Sequence, residues 1–427
     1  MTKYKLAILT SHPIQYQTPL FQLLAKQPEI DLTVYFCWDF GVSEPTYDSG
    51  FGKEIKWDIS LLEGYKYKFL KNYSFKPSSK FWGQVNPGII KELILGTSDV
   101  HNINGNFGTS DVQLKKTNAI LTYGWNSFSN WLAFLTAFLK KIPVFLHAEN
   151  PLNQELLKPK WKIKIKKIVL GWLFKRISAF LYIGEENKKF YQYYGVPEDK
   201  LFFAPYAVDN KRFIEARKSL SKNRKLLRKE LRIDEKDIVI LFVGKLIYKK
   251  HPFDLLRAYE LLNMGKSDLP NINVNVRRSD FQKFNLIFVG DGILRPELEN
   301  YVKEYNLKNV HFTGFKNQTE IPKYYALSDI LVLPSGVGET WGLVVNEAMC
   351  FGLPIIVSGV VGCGPDLVKH GENGYIYPVG NIEKLTDYLE DLIKNPEKRK
   401  SFGKKSFEII QEYTYEKDIK GILEALK

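Results

Sequence analysis

Cysteine is scarce in this sequence of 427 residues, with Cys37, Cys350 and Cys363 as its only three. They are odd in number, lie far apart and lack the spacing of metal ligands, so the sequence predicts neither a disulfide framework nor a zinc site. A reducing compartment is therefore the expected environment.

Long apolar runs are also missing. No stretch has the ~20 apolar residues that are needed to span a bilayer. The first apolar run, which ends before Ser11, is shorter than the apolar core of a signal peptide. The sequence therefore predicts a cytoplasmic protein, with peripheral attachment to the inner face of the cell membrane as the open alternative.

Positive charge and aromatic side chains are abundant. The formal net charge is +14, and aromatic residues make up 14% of the chain. An excess of positive charge favours anionic partners such as phosphorylated metabolites, an acidic membrane or nucleic acid. The aromatic residues can form core, sugar-stacking surface or membrane anchor, and composition does not decide among these.

Length and strand pattern predict two α/β domains, because 427 residues exceed the size of one comfortable core. Short apolar runs alternate with helix-length segments in both halves, which predicts parallel, doubly wound sheets. The predicted strands are one that ends before residue 11, then 30–36, 119–123, 142–147 and 179–183 in the first half, and 237–244, 285–290, 310–312, 329–334 and 354–357 in the second.

The domain limits follow from a charge-rich stretch near residues 210–236. We place the first domain at 1–212 and the second at 213–400, and we expect the helical segment 401–427 to pack back towards the first domain. The stretches 96–116 and 264–283 interrupt the strand and helix pattern, and they are predicted to be surface loops.

The segment 334–368 combines a strand, a glycine-containing turn with an acid, and the start of a helix. If that helix begins near Trp341 and Gly342, its first N–H groups point at an anion, and the glycine lets a diphosphate approach closely. Glu339 then precedes the helix, where it can bind sugar hydroxyls, and Glu347 lies inside it, where it can bind two ribose hydroxyls. The structural alternative makes Glu339 a helix cap and Glu347 a solvated side chain.

Two further strand ends carry glycine. After Gly244, Lys245 and Lys250 flank a short loop, a placement that suits phosphate oxygens, although lysines in such loops are often merely solvated. Gly290 closes another strand with a tight turn, and this turn lacks the third glycine of a dinucleotide fingerprint.

The run from Lys158 to Arg176 carries many basic residues and no acid, with Trp161 and Trp172 among its apolar residues. It reads as a basic amphipathic helix that can lie on an anionic membrane. The alternative is a solvated helix whose apolar side packs on the sheet. Nucleic acid is not expected as a partner, because no nucleic-acid-binding fold accompanies the charge.

Together these segments resemble glycosyltransferase family 4, whose retaining enzymes use nucleotide sugars, with the E-x7-E signature present as Glu339 and Glu347. The resemblance covers residues 239–378 closely. It implies the α/β fold called GT-B, in which two Rossmann-like, doubly wound domains face a central cleft, the first binding the acceptor and the second the nucleotide-sugar donor.

The resemblance also implies roles for single residues. Lys245 and Lys250 would contact the donor diphosphate, and Glu347 the ribose. Glu339, with the backbone around Trp341 to Leu343, would contact the transferred sugar. The donor-binding residues implied in this way are Gly244, Lys245, Lys250, Gly290, Gly338, Thr340, Trp341, Gly342, Leu343 and Glu347. Two departures, Lys245 in place of a common Arg and Asp366 in place of a common Glu, both keep the charge.

The opening SHPIQYQTPLF resembles a subgroup of bacterial polysaccharide and glycolipid glycosyltransferases, and places His12 and Gln15 at the tip of the first strand, on the acceptor side of the cleft. Family members commonly have a His near the anomeric carbon, after a later strand of this domain. Here Glu149 occupies the best-aligned position and His147 lies beside it. The alternative is a packed His147 at a strand end, with Glu149 as a helix cap.

The implied function is transfer of a sugar to a hydroxyl acceptor with retention of configuration, in cell-surface polysaccharide, lipopolysaccharide or glycolipid synthesis. The implied catalytic residues are Glu339, Lys250, Lys245, Glu149 and His147. The expected partners are a nucleotide-sugar donor and a glycan or lipid-linked acceptor, and neither a cofactor nor an essential metal is expected. The alternatives are a GT-B nucleotide-sugar epimerase, a glycogen-type synthase, and a non-catalytic, membrane-associated protein that binds nucleotide sugars.

Overall fold

The structure is a computed structural model that describes residues 3–42, 44–95, 117–264 and 283–427. The predicted loop 96–116 lies outside the described residues, and so does all of the loop 264–283 except its two end residues. The chain divides into two compact units. Unit 1 comprises residues 1–46, 55–206 and 415–427, and unit 2 comprises residues 47–54 and 207–414.

The strands of the described residues are numbered in chain order. They are β1 (Tyr4–Thr10), β2 (Ile30–Phe36), β3 (Thr46–Asp48), β4 (Lys53–Ile55), β5 (Lys66–Phe69), β6 (Ala119–Tyr123), β7 (Val144–His147), β8 (Ala179–Tyr182), β9 (Leu201–Phe203), β10 (Ile238–Val243), β11 (Phe284–Val289), β12 (Val310–Phe312), β13 (Ile330–Leu333), β14 (Ile355–Ser358) and β15 (Gly374–Tyr377).

The α-helices are numbered in the same way. They are α1 (Thr18–Ala25), α2 (Gly88–Leu95), α3 (Phe128–Lys140), α4 (Leu152–Glu155), α5 (Lys160–Phe174), α6 (Glu185–Tyr193), α7 (Asn210–Leu220), α8 (Arg224–Glu230), α9 (Pro252–Met264), α10 (Arg295–Glu304), α11 (Ile321–Leu327), α12 (Leu343–Cys350), α13 (Gly364–Leu367), α14 (Ile382–Lys394), α15 (Pro396–Ile410) and α16 (Tyr415–Ala425).

Unit 1 is built on a parallel sheet whose described strands run in the order β5-β2-β1-β6-β7-β8-β9. In the inner strand β1, every residue from Leu6 to Thr10 is buried, so buried and exposed residues do not alternate. Such continuous burial is expected when helices cover both faces of a parallel sheet. Because the strands are parallel, the loops that leave β1 and β7 emerge at the same edge of the sheet, where open α/β sheets bind their ligands.

Unit 2 has a second parallel sheet, with its described strands in the order β12-β11-β10-β13-β14-β15. Its core joins apolar residues of β10, β11 and β13 to those of α9 and α14. The strands β10, β11 and β13 are neighbours, so the loops that follow Val243, Val289 and Leu333 meet at the carboxyl edge of this sheet. All the predicted donor-binding residues before α12 lie in these loops.

The boundaries of the two units differ from the limits 1–212, 213–400 and 401–427 that we predicted from the sequence. The change falls between residues 206 and 207, so that α7 and α8 belong to unit 2. The helix α15 also belongs to unit 2, where it packs against α12 and α14, while α16 belongs to unit 1, where it packs against β9 and α1. No helix among the described residues combines the length and the apolar character that crossing a membrane requires.

Candidate active site

The side chains of Lys250 and Glu339 form an ion pair in unit 2. The two side chains are only 15% and 10% exposed. Burial alone raises the pKa of Glu339, but the charge and hydrogen bond of Lys250, with help from the charge of Lys249, lower it overall. The carboxyl is therefore ionised at neutral pH, and the predicted alternative in which Glu339 caps a helix does not describe its contacts.

The loop before α12 is held in place by backbone hydrogen bonds from the segment that follows β14. The amide of Gly362 donates to the carbonyl oxygen of Glu339 at 3.0 Å, and the amide of Cys363 donates to that of Trp341 at 3.0 Å. A Cβ atom on Gly362 would lie 1.8 Å from the carbonyl oxygen of Thr340, so only glycine fits there. Glu339, Thr340 and Trp341 are thus fixed by their backbone before any ligand is present.

The helix α12 begins at Leu343, with Gly342 as the residue that caps it, so the predicted helix start is confirmed. Gly342 has φ +105°, and a Cβ atom on it would lie 2.8 Å from the side chain of Leu333. The cap residue Gly342 has no side chain, so it offers this helix no side-chain acceptor. The first backbone N–H groups of the helix carry the positive end of the helix dipole, which suits an anionic ligand.

Trp341 is buried beside this helix start, and it does not offer its ring to solvent. Its indole N–H donates to Asn346 Oδ1 at 2.9 Å, and its ring centroid lies 6.1 Å from that of Tyr413. The contact of Trp341 with a donor is therefore expected through its backbone, as the resemblance implied, with the side chain packed in the core.

Glu347 lies on the inner side of α12 and is 8% exposed, so the predicted alternative of a solvated helix residue is wrong. The hydroxyl of Tyr325 donates to Glu347 Oε2 at 2.5 Å. Burial raises the pKa of Glu347 to about 7, against the opposing effects of the Tyr325 hydrogen bond and the charge of Arg212. A buried carboxylate with one partner has spare acceptor capacity, which hydroxyls of a ribose can use.

The glycines at the ends of β10 and β11 let two loops approach each other. Gly290 has φ +138°, and a Cβ atom on it would lie 1.9 Å from the carbonyl oxygen of Gly244. Gly338 has φ +102°, and its carbonyl accepts a hydrogen bond from Lys249 Nζ at 2.9 Å. The structure thus brings Gly244, Gly290 and Gly338 into the loops that surround the start of α12.

Lys245 is paired with an acid that the sequence did not single out. Its ammonium lies 2.8 Å from Asp48 Oδ1, in a hairpin of β3 and β4 whose residues 47–54 belong to unit 2. In the same hairpin, Lys53 pairs with Asp291 at 2.9 Å. The turn residues Asp48, Ser49 and Gly50 are a signal for a hairpin, but a sequence gives no signal for pairing across 197 positions.

Unit 1 holds the remaining predicted catalytic residues at the end of β7. His147 is 2% exposed, packs against the rings of Tyr123 and Tyr206, and has its Nε2 3.3 Å from the carbonyl oxygen of Ala204. Burial lowers the pKa of His147 to about 4, so the ring is neutral at physiological pH. This environment matches the alternative of a packed histidine.

Glu149 is half-buried in the loop that follows β7, and it does not cap α4, whose cap residue is Pro151. It forms a side-chain hydrogen bond with Tyr206. Burial, together with the charge of Glu149, raises the pKa of Tyr206 well above its ordinary value, so that hydroxyl stays protonated and donates to the carboxylate. The ring of Tyr206 in turn contacts the ring of Tyr16 at 5.7 Å between centroids.

His12 and Gln15 lie in the loop between β1 and α1, both partly buried. The imidazole of His12 packs against the rings of Trp38 and Phe40, with centroids 5.8 Å and 5.3 Å away, and its Nδ1 lies 2.9 Å from Ser11 Oγ. Both residues therefore share the carboxyl edge of the unit 1 sheet with Glu149.

The predicted basic helix is α5. Its core side packs through Ile163, Leu170, Leu173 and Phe174. A second row of apolar side chains on α5 is exposed instead, and the exposed fractions run from 44% for Val169 to 76% for Ile168. The members of this row are Trp161, Ile165, Ile168, Val169 and Trp172. The predicted alternative, in which the apolar side packs on the sheet, accounts for only one of the two apolar rows.

The chain matches a known family over part of its length. Residues 223–408 match the family described as "Glycosyl transferases group 1". This range lies in unit 2 and contains Lys245, Lys250, Glu339 and Glu347. Unit 2 therefore carries a glycosyltransferase group 1 domain, which confirms the coarser part of the family prediction.

Two relatives illustrate the sequence similarity. An uncharacterized glycosyltransferase of Methanocaldococcus jannaschii is 32% identical over 139 residues, which are 33% of this chain and 39% of that protein. Spore coat protein SA of Bacillus subtilis is 34% identical over 191 residues, which are 43% of this chain and 46% of that protein. The chain spans less than half the length of each of these relatives.

Similarity to solved structures extends over the whole chain. HepE of Anabaena, in complex with UDP and glucose, aligns with a TM-score of 0.67 and 17% identity, covering 99% of each chain. At this identity the likeness shows the fold alone. The fold class predicted from the sequence, GT-B with two Rossmann-like parallel-sheet units, is confirmed.

Proposed function

We propose that this protein is a glycosyltransferase that moves a sugar from a nucleotide-sugar donor to a hydroxyl group of an acceptor. The observation that carries the proposal is the ion pair of Lys250 and Glu339 in the loops at the start of α12, where Gly342 is the cap residue. The ion pair supplies a fixed cation and a fixed carboxylate, and the helix start supplies backbone donors. All of these groups lie in the part of the chain that matches a glycosyltransferase domain.

The proposed donor site assigns one task to each group. The ammonium of Lys250 and the N–H groups at Gly342 and Leu343 stabilise the negative charge of the departing nucleoside diphosphate. Such preorganised donors are commonly the largest contribution to catalysis of this kind. The carboxylate of Glu339 accepts hydrogen bonds from hydroxyls of the transferred sugar, and that of Glu347 accepts those of the ribose.

The acceptor side is proposed to lie in unit 1, with Glu149 rather than His147 as its reactive group. His147 is buried and its pKa is lowered to about 4, whereas Glu149 is half-buried and oriented by Tyr206. His12 and Gln15, in a loop at the same edge of the sheet, are proposed to contact the acceptor.

Retention of configuration and membership of family 4, in its bacterial polysaccharide and glycolipid subgroup, are part of the proposal. They are supported by the E-x7-E spacing of Glu339 and Glu347 and by the opening SHPIQYQTPLF. The coupling constant of the anomeric proton in the isolated product, compared with that of the donor, would test retention. The reaction is proposed to need no metal, and full activity in the presence of EDTA is the expected result.

The proposed acceptor is a glycan or a lipid-linked glycan at the cytoplasmic face of a membrane. The support is α5, whose exposed apolar row is flanked by basic residues. On a helical wheel, Lys160, Lys164 and Lys167 lie on one side of this row, and Lys162 lies on the other. An apolar stripe between two basic flanks fits an interface of anionic lipids, because the stripe can insert while the basic groups meet the headgroups.

Release of nucleoside diphosphate tests the activity. The purified chain is incubated with UDP-, GDP- and ADP-sugars, each with and without a mixture of glycan and lipid-linked acceptors. Release that depends on the acceptor is the expected result. A donor sugar that changes configuration without an acceptor would instead identify an epimerase, and donor binding with no turnover of any pair would favour a non-catalytic binding protein.

A further inference from the structure

A hairpin from the first part of the chain lies against the predicted donor site. The strands β3 and β4 pair with each other. Residues 47–54 stand between β2 and β5 in sequence, yet they pack as part of unit 2. We call this segment the 47–54 hairpin. None of its residues belongs to the motifs on which the donor site was predicted.

The hairpin places a carboxylate on the lysine that is proposed to bind phosphate. Lys245 Nζ lies 2.8 Å from Asp48 Oδ1 and 2.9 Å from Asp48 Oδ2. The carboxylate is fixed in this position, since its Oδ1 also accepts hydrogen bonds from the amides of Gly50 at 2.8 Å and Phe51 at 3.2 Å. Asp48 therefore neutralises Lys245 with an anion that the fold itself supplies.

The backbone of the hairpin also restricts access to Lys245. A Cβ atom on Gly50 would lie 2.6 Å from Lys245 Cδ and 2.8 Å from its Nζ, so the chain at Gly50 touches the lysine directly. The ammonium lies 4.7 Å from the centroid of the Phe51 ring, and that ring contacts Phe315 at 4.9 Å. The hairpin therefore covers one side of Lys245 and leaves its side chain 32% exposed.

A second ion pair attaches the hairpin to the neighbouring loop. Lys53 Nζ lies 2.9 Å from Asp291 Oδ2, and Asp291 follows Gly290 at the end of β11. The hairpin is thus fastened at the ends of two adjacent strands, β10 and β11. These two ends carry Gly244, Lys245 and Gly290, which are among the predicted donor-binding residues.

We propose that the 47–54 hairpin is an autoinhibitory latch of the donor site, in which Asp48 holds Lys245 until the diphosphate of a donor displaces it. The proposal rests on the proposed function, because it takes Lys245 to be a ligand of the diphosphate. A diphosphate outcompetes one carboxylate since it carries more negative charge and more acceptor oxygens. Donor affinity then depends on the fraction of molecules in which the latch is open.

The test compares binding of UDP, GDP and ADP to three forms of the full chain by titration calorimetry. Asp48→Asn removes the charge but keeps the oxygen that accepts from Gly50 and Phe51. Asp31→Asn is the matched control, because it removes the acid of another half-exposed ion pair, that with Lys66 at 2.7 Å in unit 1. Asp48→Asn is expected to bind the preferred nucleotide about threefold more tightly than the wild type, the order expected for loss of one such ion pair, and Asp31→Asn is expected to bind it equally.

The outcomes separate the latch from the proposed function. If no form binds any nucleoside diphosphate, the proposed function fails and the latch fails with it. If the wild type binds and Asp48→Asn binds equally or more weakly, the latch alone is overturned.

Hydrogen exchange supplies a second measurement: the amide of Gly52, which donates to the carbonyl oxygen of Asp48 at 2.8 Å, is expected to exchange faster when the nucleotide is bound. Slower exchange there would mean that the hairpin closes on the nucleotide, and would also overturn the latch.

Discussion

The ammonium of Lys250 and the carboxylate of Glu339 face each other across 89 positions of sequence, and both side chains are largely shielded from water. Each of these two groups is the main opposite charge beside the other. An ion pair of this kind serves two purposes, because it holds both groups in one geometry and keeps each of them charged. We therefore expect both stability and activity to depend on the same pair, and substitutions can separate the two effects.

Lys250→Ala is expected to lower turnover by roughly 10²–10³-fold, the usual effect of removing one donor that stabilises developing charge. It is also expected to lower the free energy of unfolding by about 3 kcal/mol, because Glu339 loses its partner. Steady-state rates and urea unfolding measure the two effects. Lys225→Ala, which removes an exposed lysine paired with Glu235, is the control and should change neither.

The double variant Lys250→Ala/Glu339→Gln distinguishes catalysis from folding. The neutral amide no longer needs a cation, so most of the lost stability should return while turnover stays low. Wild-type turnover in Lys250→Ala would refute the assigned role of this lysine, whatever its stability.

Glu347 makes stability depend on pH. Its pKa in the folded protein is raised from the ordinary 4.5 to about 7 by burial, so the folded state binds this proton more tightly than the unfolded state. The contribution of Glu347 to stability is therefore unchanged below about pH 4.5, falls as the pH rises towards about 7, and levels off above that value. The total loss is of the order of 3 kcal/mol.

Replacing Glu347 with Gln should abolish this part of the pH dependence, since an amide does not titrate and can still accept from Tyr325. Urea unfolding of both proteins between about pH 5 and about pH 8 is the measurement. The affinity of the wild type for UDP should rise with pH across the same range, because ribose hydroxyls donate best to the ionised carboxylate. The affinity of the variant should rise less. Parallel curves for the two proteins would contradict the buried, titrating Glu347.

The sequence predicted the interior of both sheets well, and the reason is physical. Inner strands such as β2 and β10 are rich in apolar residues, so their predicted limits agree with the structure within about a residue. The pattern missed β3 and β4, which form the two-stranded sheet, and β5, β9 and β15, which lie at the edges of the two larger sheets. All five strands are short, and β5, Lys66–Phe69, has alternating lysines in place of an apolar run.

The proposed donor site could be predicted from the sequence where its residues are close together in the chain. The helix start at Gly342 and the spacing of Glu339 and Glu347 can be read from one segment, because a helix has a fixed geometry. The pairing of Lys245 with Asp48 had no such signal, since it depends on where the chain folds back. The burial of His147 was likewise undetermined, because a histidine at a strand end can face solvent or core equally well.

Glu149 is expected to act on the acceptor rather than on the donor. Glu149→Gln keeps the hydrogen bond from Tyr206 and removes the charge, so turnover should fall by roughly 10²-fold or more. Calorimetric binding of nucleoside diphosphate should stay at the wild-type value. Glu63→Gln, at an exposed acid of the same unit, is the control. A loss of nucleotide binding that parallels the loss of turnover would place Glu149 on the donor instead.

The exposed apolar row of α5 is expected to bind anionic membranes. The triple variant Trp161→Ser/Ile165→Ser/Ile168→Ser removes three side chains that are 61%, 55% and 76% exposed, so the fold should tolerate it. Since each large apolar side chain contributes roughly 1.5 kcal/mol or more when it is fully buried, partitioning should weaken by roughly tenfold or more. Flotation with vesicles of phosphatidylglycerol and phosphatidylcholine measures it.

Two comparisons make this membrane experiment decisive. The control variant Leu226→Ser/Tyr305→Ser/Val379→Ser removes exposed apolar residues of unit 2, and it should float like the wild type. Vesicles of phosphatidylcholine alone, or a high salt concentration, should reduce flotation of the wild type, because the basic flanks of α5 then lose their anionic partners. Equal flotation of the triple variant and the wild type would show that α5 is not the membrane-binding element, and the lipid-linked acceptor would lose its structural support.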